Sequence, residues 1–274
     1  MSRIWFVTGS SRGLGREIVV AALEAGDSVV ATARKAEQLD DLVKRYGDRV
    51  LALAMDVSDA GAVNTAVARA KGRFGRLDAV VNNAGYANMA SIEDISIDDF
   101  RAQMSTNFEG VVLVTKAVLP ILRAQGSGHI FQISSVGGRI GSAGLSAYQS
   151  AKFAVRGFSL VLAQEVAPLG IKVTVIEPGG MRTDWAGSSM QTPPVSEPYQ
   201  PTVGRFVEML RAYAGQEASD PAKVAQALLK LAGRSDAPVE LLMGADAYEY
   251  ATRAAEALAE SDRTWRDLTV SVTG

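Results

Sequence analysis

The chain has 274 residues, enough for one large domain or two smaller ones, and its 47% hydrophobic content supplies a sizeable core. A net charge of −2 gives no electrostatic basis for a nucleic-acid or anionic-membrane partner. With no Cys and one His, disulfides are excluded, and a catalytic zinc held by the usual three protein ligands is disfavoured.

The N-terminus runs directly into a short apolar stretch and carries no signal-peptide pattern. No uncharged apolar segment approaches the roughly 18 residues that a membrane span needs. A cytoplasmic protein without membrane attachment is expected.

In chain order, a strand at Ile4–Thr8 leads into a helix at Leu14–Ala25. A strand at Ser28–Ala33, a helix at Gln38–Tyr46 and a strand at Val50–Ala54 follow. Next come a helix at Ala60–Phe74, a strand at Ala79–Asn82 and a long helix at Phe100–Arg123. The pattern then repeats as a strand at His129–Ser134, a helix at Ala147–Val166 and a strand at Lys172–Ile176. Gly26, Gly47, Gly75 and Pro168 stand where these helices should stop. The proline- and serine-rich stretch Ala186–Thr202 has little helical pattern and reads as a lid insertion. Asp220 and Pro221 fit an N-cap and first helical position, opening a helix to about Leu231, before a last strand at Val239–Met243.

Short apolar strands alternating with amphipathic helices predict an α/β domain, a doubly wound parallel sheet (Rossmann fold) of about seven strands. The expected organisation is a single dinucleotide-binding domain over residues 1–274. A substrate lid is expected at about 181–216 and a helical C-terminal extension at about 245–274.

Gly9, Ser11, Arg12, Gly13, Leu14 and Gly15 lie where the first strand turns into the first helix. Glycines there let the backbone approach a pyrophosphate, whose charge the helix N-terminus favours. The segment Gly9-Ser10-Ser11-Arg12-Gly13 also matches the nucleophile elbow of hydrolases. That reading needs His129 as base, but His129 falls at the start of its strand whereas Ser11 follows the end of its own, so the two belong on opposite sides of a parallel sheet. After the second strand the sequence is Thr32-Ala33-Arg34-Lys35, with no carboxylate to accept a ribose 2′-hydroxyl. Arg34, with Arg12 from the other side, suits a 2′-phosphate, so NADP(H) is the expected cofactor.

Tyr148 and Lys152 are four residues apart and share one helix face. A nearby ammonium favours the phenolate, so Lys152 is expected to lower the tyrosine's pKa and tune it for proton exchange with a substrate oxygen.

Together these features resemble the short-chain dehydrogenase/reductase family over nearly the whole chain. The family's T-G-x-x-x-G-x-G is matched by Thr8 to Gly15, and its N-N-A-G by Asn82, Asn83, Ala84 and Gly85. The resemblance implies catalytic roles for Ser135, Tyr148, Lys152 and Asn107, with Ser135 on the substrate oxygen and Asn107 anchoring a water relay to Lys152. It further implies cofactor contacts from Asp56 and Val57 at the adenine, from Pro178 and Gly179 after the sixth strand, and from Thr183 at the nicotinamide. The implied activity is ketone or aldehyde to alcohol interconversion on a small molecule. An NADP(H)-binding sensor without turnover is the alternative from another class. Tyr86, Met89, Trp185 and Met190 are candidate substrate residues, and their apolar character suggests a lipophilic substrate. The resemblance also implies a homodimer or homotetramer, paired through the long helices on either side of the fifth strand. The tail beyond residue 245 is expected to cover either the active site or a subunit interface.

Overall fold

The computed structural model describes residues 2–186 and 190–273. Residues 187–189 of the expected lid lie outside them, as do Met1 and Gly274. Seven parallel strands form one sheet: β1 (Ile4–Val7), β2 (Ser28–Ala33), β3 (Val50–Ala54), β4 (Ala79–Asn82), β5 (Gly128–Ile133), β6 (Ile171–Pro178) and β7 (Glu240–Met243). Their spatial order is β3-β2-β1-β4-β5-β6-β7. The order reverses between β1 and β4, which opens a crevice beyond their C-terminal ends.

Side chains alternate across the sheet, and each face receives its own helical layer. From β1, Trp5 and Val7 join the core formed with α1 (Gly13–Glu24), α2 (Asp40–Tyr46) and α8 (Pro221–Ala232). Ile4 and Phe6 enter the opposite core, with α3 (Ala60–Phe74), α5 (Gly110–Gln125) and α6 (Ser146–Val166). The buried indole of Trp5 is satisfied by donating to Asp27 Oδ2 at 2.8 Å. On α5, Val114, Val118 and Leu122 form a stripe at four-residue spacing, fully buried against the sheet. Each contributes about 1.5–3 kcal/mol by leaving water.

The expected helix at 100–123 starts earlier and is not uniform. It runs as α4 (Ile97–Met104), a π-helical turn at Ser105–Glu109 and then α5. Ser96 caps its start by accepting from the Asp99 N–H at 3.1 Å. Residues 97–125 are long and apolar enough to cross a membrane by length and composition. Here the apolar face of α5 packs on the sheet.

Asp220 caps α8 as expected, accepting from the Ala222 N–H at 2.9 Å with Pro221 in the first turn. The segment after β6 is less irregular than its composition suggests. It contains short helical turns and α7 (Arg205–Tyr213); Val203 in the π-helical turn Gln200–Gly204 and Phe206, Val207 and Leu210 on α7 have helical apolar spacing. The tail forms α9 (Ala245–Thr264) and α10 (Arg266–Val270). Only Ala247 and Ala251 of α9 are buried, and Asp246 in its first turn accepts from the Gly180 N–H at 2.7 Å, which ties the start of the tail to the segment after β6.

Candidate active site

Every strand from β1 to β6 delivers a candidate residue at its C-terminal end: the glycine loop, Arg34, Asp56, Asn83, Ser135 and Pro178. His129 sits at the other end, registered with Ala79 and hydrogen-bonded through Nε2 to Thr174 Oγ1 at 2.8 Å. Burial holds its pKa down to about 3. The histidine and Ser11 are therefore at opposite ends of the parallel strands, and His129 cannot serve Ser11 as a base.

The glycine loop is locked to the turn after β4. Thr8 Oγ1 accepts from the N–H groups of Asn83 and Ala84 at 2.9 and 3.0 Å. Asn83 Nδ2 donates back to Thr8 O at 2.9 Å and Gly9 O at 3.2 Å. Gly9 has φ +68°, and a Cβ there would lie 2.9 Å from Ala84 Cα. A Cβ on Gly15 would strike the Gly9 carbonyl and the Asn83 amide. Arg12 stands at the N-cap of α1 without a side-chain cap, and the first turn carries no carboxylate. The loop N–H groups thus form a cradle suited to a pyrophosphate. Gly13 and the half-buried Ser11 complete it, with Thr183 alongside: a Cβ on Gly13 would sit 3.7 Å from the Thr183 side chain. Leu14 faces inward in the core, leaving only its backbone toward the cradle.

Arg34 is exposed beyond β2, and its charge helps hold the Asp56 carboxyl low, after the hydrogen bonds from Ser58. The Val57 side chain is buried against α5, where a Cβ on Gly110 would overlap it, so any adenine contact from Val57 is through backbone. Arg12 bonds Asp184 Oδ2 through Nη1 at 2.9 Å. Beyond β6, the Gly179 N–H is bonded to Met243 O at 3.0 Å, and Pro178 O faces Ser135.

Ser135, Tyr148 and Lys152 converge. Ser135 Oγ accepts from the Gly137 N–H at 3.0 Å and lies 3.5 Å from Pro178 O. The neighbouring Ser134 is occupied instead in donating to the backbone carbonyl of Lys152 at 3.0 Å. Lys152 Nζ lies 5.6 Å from the Tyr148 ring centre and donates to Ile133 O at 2.8 Å. Burial pushes the Tyr148 phenol up to about 12, against an opposing hydrogen bond from Ser135. Burial also brings Lys152 down to about 8. Without cofactor, loss of water sets the direction for both groups, raising the phenol and lowering the ammonium.

Asn107 occupies the π-helical turn and is fully buried. Its Oδ1 accepts from the Tyr86 N–H at 3.1 Å, and its Nδ2 donates to Tyr86 O and Gln103 O, both at 2.9 Å. A Cβ on Gly85 would crowd Asn107 Oδ1 and come within 3.6 Å of Lys152 Nζ, so the three meet at this turn.

An apolar roof covers the tyrosine. Met89, Tyr148, Val203 and Val207 form its buried core, with Trp185 and Met190 packed on them. The Met89 N–H donates to Gln191 O at 2.9 Å, tying the turn after β4 to the segment after β6. Tyr86 does not join this cluster. Burial raises its phenol pKa, as does Asp99, while Arg34 opposes them. Val203, Phe206, Val207 and Leu210 fall within the expected lid but are not among the candidate substrate residues, although their helical apolar spacing carries the signal.

A seven-stranded parallel sheet with this glycine loop and Ser–Tyr–Lys convergence defines a dinucleotide-fold oxidoreductase. Residues 3–194 match the short chain dehydrogenase family model, and the chain belongs to that family. It is 62% identical over 99% of both chains to oxidoreductase BOA17 of Botryotinia fuckeliana. A crystal structure of a short-chain dehydrogenase from Streptomyces avermitilis is 35% identical over 100% of both chains, with TM-score 0.94. The closed form of a serine dehydrogenase, complexed with NADP+, is 29% identical over 88% of this chain and 94% of its own, with TM-score 0.75.

Proposed function

We propose that this chain interconverts a lipophilic ketone or aldehyde and its alcohol, using NADP(H), with Tyr148 as general acid and base. The observation that carries the reading is the meeting of Ser135, Tyr148 and Lys152 under an apolar roof, beside the glycine cradle. When bound, the cofactor supplies or accepts the hydride. In the reducing direction Tyr148 gives its hydroxyl proton to the substrate oxygen while Ser135 donates a hydrogen bond to the same atom. Lys152, with its pKa near 8, takes up or releases a proton close to neutrality and stabilises the phenolate left behind. Asn107 acts on the backbone, fixing Tyr86 and hence the turn around Gly85. Arg34 and Arg12 supply cations for a 2′-phosphate, and the NADP+ complex of the related serine dehydrogenase supports this choice. Residues of the 181–216 segment act as a lid that excludes water. Pairing of two copies through α5 and α6 belongs to the same reading, supported by exposed Phe153 and Val161 on α6.

The test is cofactor oxidation with NADPH and NADH against lipophilic and polar ketones, for wild type and Tyr148→Phe. The expected result is turnover preferring NADPH and lipophilic ketones, with kcat in the variant reduced about 100- to 10,000-fold and NADPH binding kept. NADPH binding without turnover on any carbonyl would favour the sensor reading instead.

A further inference from the structure

We propose that Arg139 and Glu177 form a clamp that positions Ser135 against Tyr148 and Lys152; the inference rests on the oxidoreductase reading above. Glu177 is the penultimate residue of β6 and is fully buried, an unusual place for a carboxylate. Arg139 meets it as a fork: Nε donates to Oε1 at 2.9 Å and Nη2 to Oε2. Such a bidentate pair fixes orientation as well as distance. Its two ends lie next to the reacting groups. Glu177 immediately precedes Pro178, whose carbonyl faces Ser135 Oγ at 3.5 Å. Arg139 ends the tight turn that starts at Ser135, in which the Gly138 N–H donates to Ser135 O at 2.8 Å.

The same turn is wedged against the helix that carries the tyrosine and lysine. A Cβ on Gly138 would lie 2.6 Å from Ser134 Oγ and 2.9 Å from the Lys152 carbonyl, so the turn packs closely on this helix and has no room for a side chain there. Arg156, one helical turn beyond Lys152, completes the set. Its Nε lies 3.6 Å from Glu177 Oε1 and donates to Glu240 on β7. Glu240 Oε1 also lies 3.4 Å from Arg139 Nη2. Two cations and two anions therefore join β6, β7, α6 and the serine turn. A buried charge network contributes little to stability compared with apolar packing, but it fixes geometry. Its position behind Ser135 gives that geometry a use: proton transfer tolerates only small errors in hydrogen-bond distance.

Removing one charge alone would unbalance the network of two cations and two anions, so the test uses the balanced double variant Arg139→Gln/Glu177→Gln, with Arg139→Lys beside it. Measured are kcat and KM for a ketone reduced by wild type, the Kd for NADPH, and the melting temperature. In the double variant kcat is expected to fall about tenfold or more, while KM and the NADPH Kd change less than about twofold. Arg139→Lys keeps the charge but not the fork, and its kcat should fall between the two. A double variant or an Arg139→Lys variant with wild-type kcat overturns the clamp while leaving the oxidoreductase reading intact. No turnover by wild type, with Tyr148→Phe indistinguishable from it, overturns that reading and the clamp together.

Discussion

The indole of Trp185 lies against the phenol ring of Tyr148, with ring centres 5.2 Å apart and planes tilted by 57°. The tryptophan comes from the segment after β6 and the tyrosine from the start of α6. This contact helps to leave Tyr148 only 8% exposed, and that burial raises the phenol's pKa.

Trp185 should therefore act on bulky substrates more than on small ones. In Trp185→Ala, the KM for an aromatic ketone is expected to rise about tenfold, or about 1.4 kcal/mol, while that for a small aliphatic ketone stays within about twofold. Steady-state kinetics on the two substrates checks this. Equal changes for both would remove Trp185 from the substrate wall.

Lys152 makes a pH prediction for the free protein. Its ammonium titrates near 8 when buried, against an ordinary value of 10.5. Between these values the unfolded chain holds the extra proton, so this group's contribution makes stability rise with pH over that window and fall away as pH drops through about 8. Tyr148 works the other way at higher pH. Its phenol keeps its proton up to about 12, against an ordinary value of 10.0, so stability is lost as pH rises between the two. Chemical denaturation from about pH 7.5 to about pH 9.5 is expected to show wild type gaining stability relative to Lys152→Met. A pH-independent difference between the two proteins would contradict the burial effect.

The two cofactor arginines should differ in weight. Arg34 is exposed beside the cleft, whereas Arg12 is paired with Asp184 and must leave it to reach a phosphate. A charged hydrogen bond to phosphate is worth about 1.5–3 kcal/mol. Arg34→Ala is accordingly expected to lower kcat/KM with NADPH about 10- to 100-fold and leave the NADH value unchanged. Arg12→Ala should lower it less. Kinetics with both cofactors decides the matter; an equal loss with NADH would show that Arg34 does not read the 2′-phosphate.

Local pattern in the sequence determined much of this protein. The strands, the glycine loop, the Asp220 cap and the Tyr148–Lys152 pair are each set within a few residues, by side-chain periodicity, backbone freedom or helical spacing. These features were sufficient to predict a seven-stranded α/β sheet with candidate residues at the C-terminal ends of its strands. What the tertiary structure alone decided depends on partners far apart in the chain. Arg12 meets Asp184 across 172 positions, and Arg139 meets Glu177 across 38. No short-range spacing marks either pair. The raised phenol pKa of Tyr148 in the protein without cofactor has the same origin. Four-residue spacing brings an ammonium near a phenol, but the roof that includes Trp185 buries the phenol, and that loss of water raises its pKa.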